Sequence, residues 1–462
     1  MARSNAARST NGTRRKTSNG TIRTYRSALK FLNSVTDYEK MSRVGYNHTN
    51  FNLTRVGKLL AALDKPHKKL RSVHIAGTKG KGSTASMLAH MLENCGFRVG
   101  LYTSPHLVDV RERISVDGEM ITEMELTHIV AKIAPVVRKL KAPGPTFFEI
   151  MTCVAFAHFV NRETDIAIVE TGLGGRLDST NVLKPEVCGM TSISYDHMSQ
   201  LGSTLTEIAE EKAGILKAGV PVVSAPQTSE VKKRLQKVAA KTGSPIRFAG
   251  DELSFSYRFE SSRAAGPHTR VSLTTADSRY EHLPVPLLGE HQAINCGVAL
   301  GLVDALKGRG FVIDDQKIIE GLTHVKLSGR MEILAEDPRI LADGAHNAAS
   351  IEALMRAIGQ NIPYDSMVVI FGCQSDKDIP GMLDLVQLGA DKVIFTSAGL
   401  HRSAEPKELA ATYTERTGKM CQVTDTLDEA LGVARRAVTR EDLICVTGSF
   451  YLVGALKRLL AD

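Results

Sequence analysis

The chain has 462 residues, 43% apolar and 23% charged, which excludes collagen-like, coiled-coil and wholly disordered proteins and allows roughly two to four domains. The net charge of +8 suggests nucleic acid, but the first 30 residues hold eight basic side chains and no acid, and the remainder balances at fifty of each. The basicity is a tail, and no stretch approaches the ~20 apolar residues of a membrane span.

Residues 1–30 form the first expected unit, a basic, disordered tail rich in Ser, Thr, Asn and Arg. It lacks the apolar run of a secretory leader. Three readings stay open for it: a solvated tail, an organelle transit peptide, or a weak polyanion-binding arm. The seven cysteines (95, 153, 188, 296, 373, 421 and 445) are widely spaced with no CxxC pair. They read as reduced, buried thiols of a cytoplasmic protein, with neither a zinc site nor a disulfide framework.

From about residue 70, short β-rich runs alternate with helical periodicity. RSVHIAG predicts a strand. STASMLAHMLENC sets Leu88, Met91, Leu92 and Cys95 on one helical face, which Gly96 ends. RVGLYT is the next strand, and Thr122 with Glu125 forms a capping box ahead of another helix. DIAIVE and VCGMTSI are continuous apolar strands, as in a parallel sheet covered on both faces. Residues 247–288 change to short alternating runs, predicting a small antiparallel patch. Strand–helix alternation then restarts with RILA, MVVIFG, KVIFT and LICVTG. The fold expected is α/β: a first domain over 31–325 with a mostly parallel sheet plus the antiparallel patch, then a Rossmann-like α/β domain over 326–462.

The sharpest motif is Gly77-Thr78-Lys79-Gly80-Lys81-Gly82-Ser83, set between a strand and a helix. Glycines free backbone N–H groups to wrap an anion, and the helix N-terminus adds about half a positive charge. Lys81 can reach β- and γ-phosphate oxygens, and the Ser83 hydroxyl can meet magnesium. A glycine between Lys81 and Ser83 departs from the common GxxxxGK[ST] spacing. Ser104 and His197 follow expected strands and Glu170 ends one, all at the C-terminal ends where open α/β sheets place ligands.

GTKGKGS, YTSPHL, TFFE, VETGLGGRLDSTN, SYDHMSQLG, EEKAGILK, GEHQAIN, SGRME and DGAHN occur in the order found in folylpolyglutamate synthase and dihydrofolate synthase. From about residue 30 onward the chain resembles this family of Mur-ligase-like, ATP-dependent amide ligases. The resemblance implies a carboxylate activated as an acyl phosphate and captured by L-glutamate, with dihydropteroate or a reduced folate as acyl donor. It implies ATP and two magnesium ions as cofactors, a monomer, and no nucleic-acid or membrane partner. Ser104, Glu170, His197 and a carbamylated Lys212 take the metal-ligand positions. Lys81, His197 and Lys212 take the catalytic ones, and Asn295, Arg330, Asp343 and His346 join the phosphate loop around ATP. Thr146, Phe147, Phe148 and Glu149, with Leu177, Asp178 and Ser179, match the pterin-side segments of bifunctional bacterial members, although the two phenylalanines also suit an ordinary core. Asp376-Lys377-Asp378 and His401-Arg402 resemble less specific positions serving glutamate.

Two departures stand out. The family more often has Asn at Lys79, and its AHNP motif is AHNA here, without the proline. Alternatives are a polyglutamylation-only enzyme, a cell-wall Mur ligase, and a non-enzymatic P-loop or nucleic-acid protein using the basic arm. The second would need a UDP-binding domain longer than the segment ahead of the loop.

Overall fold

The computed structural model describes residues 21–41, 45–262, 266–285, 287–399 and 403–461. Two helices come first, α1 (Tyr25–Leu32) and α2 (Leu53–Ala61). They are followed by β1 (Ser72–Ala76), β2 (Val99–Tyr102), β3 (Ile114–Val116), β4 (Glu119–Met120), β5 (Ile166–Glu170), β6 (Val187–Met190), β7 (Val222–Ser224) and β8 (Ile246–Phe248). These strands form one sheet in the order β4-β3-β2-β5-β1-β6-β7-β8, parallel except for β3 and β4 at one edge. Between them run α3 (Lys81–Asn94), α4 (Glu123–Lys139), α5 (Phe147–Asn161), α6 (Met198–Leu201), α7 (Leu205–Ala213) and α8 (Ser229–Thr242).

β1, β5 and β6 are buried along their whole length, as a parallel sheet covered on both faces requires. α5 is apolar on nearly every side, so it lies inside the lobe rather than on it. Its Phe159 packs over Gly100 of β2, where an added Cβ would sit 2.6 Å from the ring. Trimming that ring to alanine would cost about 3–5 kcal/mol.

The antiparallel patch is a three-stranded sheet of β9 (Ser254–Ser262), β10 (Gly266–Thr274) and β11 (Arg279–Val285). α9 (Glu290–Lys307) and α10 (Asp315–Thr323) close the first lobe. The second lobe has β12 (Glu332–Glu336), β13 (Arg339–Ala342), β14 (Met367–Phe371), β15 (Lys392–Phe395), β16 (Gln422–Val423) and β17 (Leu443–Thr447), in the order β12-β13-β17-β14-β15-β16. All but β12 are parallel. α11 (Ala348–Asn361), α12 (Ile379–Gly389), α13 (Pro406–Thr417), α14 (Leu427–Ala437) and α15 (Phe450–Ala461) cover its faces. The α/β class, the mostly parallel first sheet, the antiparallel patch and the second α/β sheet agree with the sequence expectation.

One expectation is corrected. The disordered tail was expected to reach residue 30, but α1 begins at Tyr25, capped by Thr24. Its Ala28 and Leu32, one helical turn apart, are buried with Ile22 in the cluster that also holds Ile129 and Ile133 of α4. The tail's first 20 residues, and with them the transit and polyanion readings, lie outside the described residues. All seven cysteines are free thiols, five of them buried. No described helix is long and apolar enough to cross a membrane.

Candidate active site

The phosphate loop joins β1 to α3 at the centre of the first sheet, where the chain leaves one strand and re-enters on the far side of β5. Its backbone is set by two close approaches. Gly77 has φ +152, and a Cβ there would lie 1.8 Å from Thr191 Oγ1. Gly80 has φ +84, and a Cβ would lie 2.0 Å from Asn295 Oδ1. Only glycine fits either place.

The first half of the loop is tied to the segment after β6. The N–H groups of Thr78 and Lys79 both donate to the Ser192 carbonyl, at 2.9 and 3.2 Å, and the Thr78 hydroxyl donates to the Ser194 carbonyl at 3.1 Å. The second half opens α3 and presents the N–H groups that a helix leaves without internal acceptors. Asn295 and Ser83 are buried beside it.

Around this anion cradle stand Glu170, Lys81, Ser104 and Lys212. Glu170 is buried at the end of β5. Its Oε2 accepts from the Ser104 N–H at 3.0 Å, and its Oε1 faces Lys81 Nζ at 3.7 Å. Burial pushes this carboxyl above its ordinary range, against the pull of Lys81 and Arg330. Lys212, on α7, is buried and donates to the Gly77 carbonyl at 2.8 Å. Burial, then the Lys81 charge, lowers its pKa to about 7. His197 caps α6 with a left-handed φ of 49, and 48% of its side chain is exposed. Next to it, burial raises the Asp196 carboxyl, but His197, Lys377 and His346 outweigh that and hold it at about 2. Ser104, Glu170, His197 and Lys212 thus gather at one end of the sheet, yet no group of three or more His, Cys, Asp or Glu forms a metal cage among the described residues.

The second lobe contributes from the end of β13. Asp343 Oδ2 accepts from the Met331 N–H at 2.9 Å and so holds the loop that carries Arg330, while its Oδ1 accepts from the Ala345 N–H at 2.8 Å and fixes its own turn. Arg330 stacks on Phe450 at 4.5 Å. His346 Nδ1 lies 2.8 Å from the Gly344 carbonyl, an acceptor only, so that nitrogen carries the proton. Burial holds His346 neutral, with a pKa at about 4. Asn347 caps α11, accepting from the Ser350 N–H at 3.0 Å. The same Oδ1 receives Lys79 Nζ at 2.7 Å, joining the two lobes directly.

The residues of the two segments that resemble the pterin side bond chiefly to the protein itself. Thr146 is the N-cap of α5, and Glu149 completes the capping box. Glu149 is buried and bound by Arg55 through both oxygens, at 2.6 and 2.7 Å. Phe147 belongs to the core, while Phe148 is half-buried against Gly172, 5.8 Å from the Tyr102 ring. Leu177 and Ser179 are buried. Asp178 accepts from the N–H groups of Gly172 and Leu173 (both 2.9 Å) and of Thr180 (3.0 Å). Its carboxylate therefore folds the loop.

Sequence reasoning missed Arg55 and also Tyr46, whose hydroxyl accepts from the Leu177 N–H at 3.0 Å; no local motif marks either. Asp196 and Asn347 stood inside quoted motifs, and their polar side chains were the available signal. Lys377 reaches the Asp196–His346 group, whereas Asp378 caps α12. His401 and Arg402 lie outside the described residues.

Residues 75–303 match the Mur ligase middle domain, and residues 329–450 the Mur ligase glutamate ligase domain. The chain is 34% identical to the dihydrofolate synthase/folylpolyglutamate synthase of Bacillus subtilis, over 88% of this chain and 94% of that protein. It is 33% identical to the folylpolyglutamate synthase of Lacticaseibacillus casei, over 90% and 97%. Among solved structures, Mycobacterium tuberculosis folylpolyglutamate synthase complexed with ADP superposes with a TM-score of 0.85 at 30% identity, covering 95% of this chain and 98% of that one. E. coli FolC in complex with DHPP and ADP gives 0.81 at 28%, with the same coverage.

Proposed function

The chain belongs to the Mur ligase family, in its folylpolyglutamate synthase/dihydrofolate synthase group, and from that premise we propose that it joins L-glutamate to dihydropteroate and extends folyl glutamates at the expense of ATP. The observation that carries the reading is the buried Glu170 facing Lys81 at 3.7 Å, directly against the helix-opening half of the phosphate loop.

In this reading the N–H groups of Gly80 to Ser83 and the Lys81 ammonium take the polyphosphate, with Asn295 packed beneath Gly80. The pteridine acid's carboxylate oxygen attacks the γ-phosphorus, the bond to ADP breaks, and an acyl phosphate forms. The glutamate amine then attacks the acyl carbon and phosphate leaves. Arg330, held over Phe450, brings a fixed donor fork from the second lobe to the developing phosphoryl charge. Phe148 and the backbone of the Gly172–Asp178 loop form the pteridine side.

The site fits magnesium. Among the described residues no hydrogen-bond donor reaches Glu170 Oε1, and magnesium prefers a few hard protein oxygens completed by water and phosphate to a closed cage. Ser104, Glu170 and His197 would hold one ion and Lys212, as its carbamate, a second; the ions would supply charge neutralisation on the phosphate oxygens. Burial lowers the Lys212 pKa and so favours the free amine, which is the form that adds carbon dioxide. Carbamylation is checked by a carbamate signal in ¹³C NMR after labelled bicarbonate, absent in Lys212→Arg. The reading includes a cytoplasmic monomer.

The test is phosphate release with ATP, magnesium and glutamate, with dihydropteroate, with tetrahydrofolate, and with neither. Release that depends on the pteridine is expected. Turnover indifferent to both would overturn the reading, and tetrahydrofolate alone as substrate would overturn bifunctionality.

A further inference from the structure

Lys79, the loop residue that departs from the family pattern, does not point to water. Its ammonium crosses to the other lobe and donates to Asn347 Oδ1 at 2.7 Å. That oxygen is held in place by its capping bond to Ser350. The position suits a cation poorly. Lys79 is removed from solvent enough to lower its pKa, and it lies at the N-terminal, positive end of the 14-residue α11. Among the described residues no carboxylate comes within ion-pair distance of it; Asp196 and Glu352 act on it only from farther away.

The Lys79 backbone, by contrast, is fixed by its bond to Ser192, so the flexible side chain can turn while the loop stays still. An anion on the N-terminus of α3 would offer that ammonium a charged acceptor in place of a neutral amide oxygen, and would lie between two positive helix ends.

We propose that Lys79 is a phosphate-positioning residue that exchanges Asn347 for a phosphate oxygen when ATP binds, so that filling the loop undoes this tie between the lobes. This rests on the loop being the ATP site, as inferred above.

The test is titration calorimetry with ATP, without acyl substrate, on the whole chain and on Lys79→Met, Asn347→Ser and the double variant. Serine retains the helix cap but is too short to hold the lysine. Lys79→Met should weaken ATP about tenfold, the loss of one charge-assisted bond to phosphate. Asn347→Ser should tighten ATP about threefold while Lys79 is present, by removing a competing acceptor, and should do nothing once Lys79 is methionine. ATP binding unchanged in Lys79→Met, or an Asn347→Ser effect equal in both backgrounds, would overturn the exchange while leaving the ATP site intact. Wild-type chain that bound no ATP would overturn the site itself.

Discussion

The phosphate end and the pteridine side of the first lobe both carry carboxylates within the motifs, but use them in opposite ways. Glu170 receives one backbone N–H at 3.0 Å and holds its other oxygen toward a lysine at 3.7 Å. Glu149 has both oxygens bound by Arg55 and also accepts from the Thr146 N–H at 2.9 Å. Asp178 is likewise committed, to Gly172, Leu173 and Thr180. At the phosphate end the charges are left partly unmatched. In the other segments they are spent inside the wall, which leaves Phe148 and main chain for the pteridine contact proposed above.

Four measurements can break or sharpen this contrast. Lys81→Ala should reduce turnover by about 10³-fold or more, because a preorganised cation at the transferring phosphoryl group is lost. Its thermal midpoint should stay within a few degrees; a large fall would place Lys81 with the shaping charges instead. Arg55→Met should do the reverse, leaving Glu149 buried without its partner and lowering unfolding free energy by about 3–5 kcal/mol in urea titration. Activity lost at full stability would remove the distinction. Phe148→Leu should raise KM for dihydropteroate about fivefold with kcat nearly unchanged, a loss of roughly 1 kcal/mol of ring contact; an equal effect on the ATP KM would contradict it. The smallest effect is a gain. Ala348 is the first residue of α11, and Asn347 before it is extended (φ −151, ψ 163), as a residue preceding proline should be. Ala348→Pro should therefore raise stability by about 0.5–1 kcal/mol, and a fall in melting temperature would refute that geometry.

The sheets were legible because strands buried on both faces, such as β5 and β14, read as unbroken apolar runs. β12 was not, since it is an edge strand whose residues are half-buried or exposed, and β16 has only two residues. The end of the tail was misjudged because eight basic residues outweighed the cap at Thr24 and the Ala28–Leu32 spacing. In the site, the strand ends named Glu170 and Ser104 as neighbours of the phosphate loop, and the two share a hydrogen bond, whereas the commitment of Glu149 was invisible: Arg55 lies 94 positions away and belongs to no motif. A motif records which side chains occur together, not whether their hydrogen bonds point outward or into the wall.

The crowding of Gly77 against Thr191 and of Gly80 against Asn295 also bears on inhibition. A compound whose anionic group rested on this stretch would touch main chain at positions where any larger residue collides with a neighbour. Escape by a single change at either glycine would distort the enzyme's own grip on nucleotide, so resistance would have to arise farther out, on the side chains that rim the cleft.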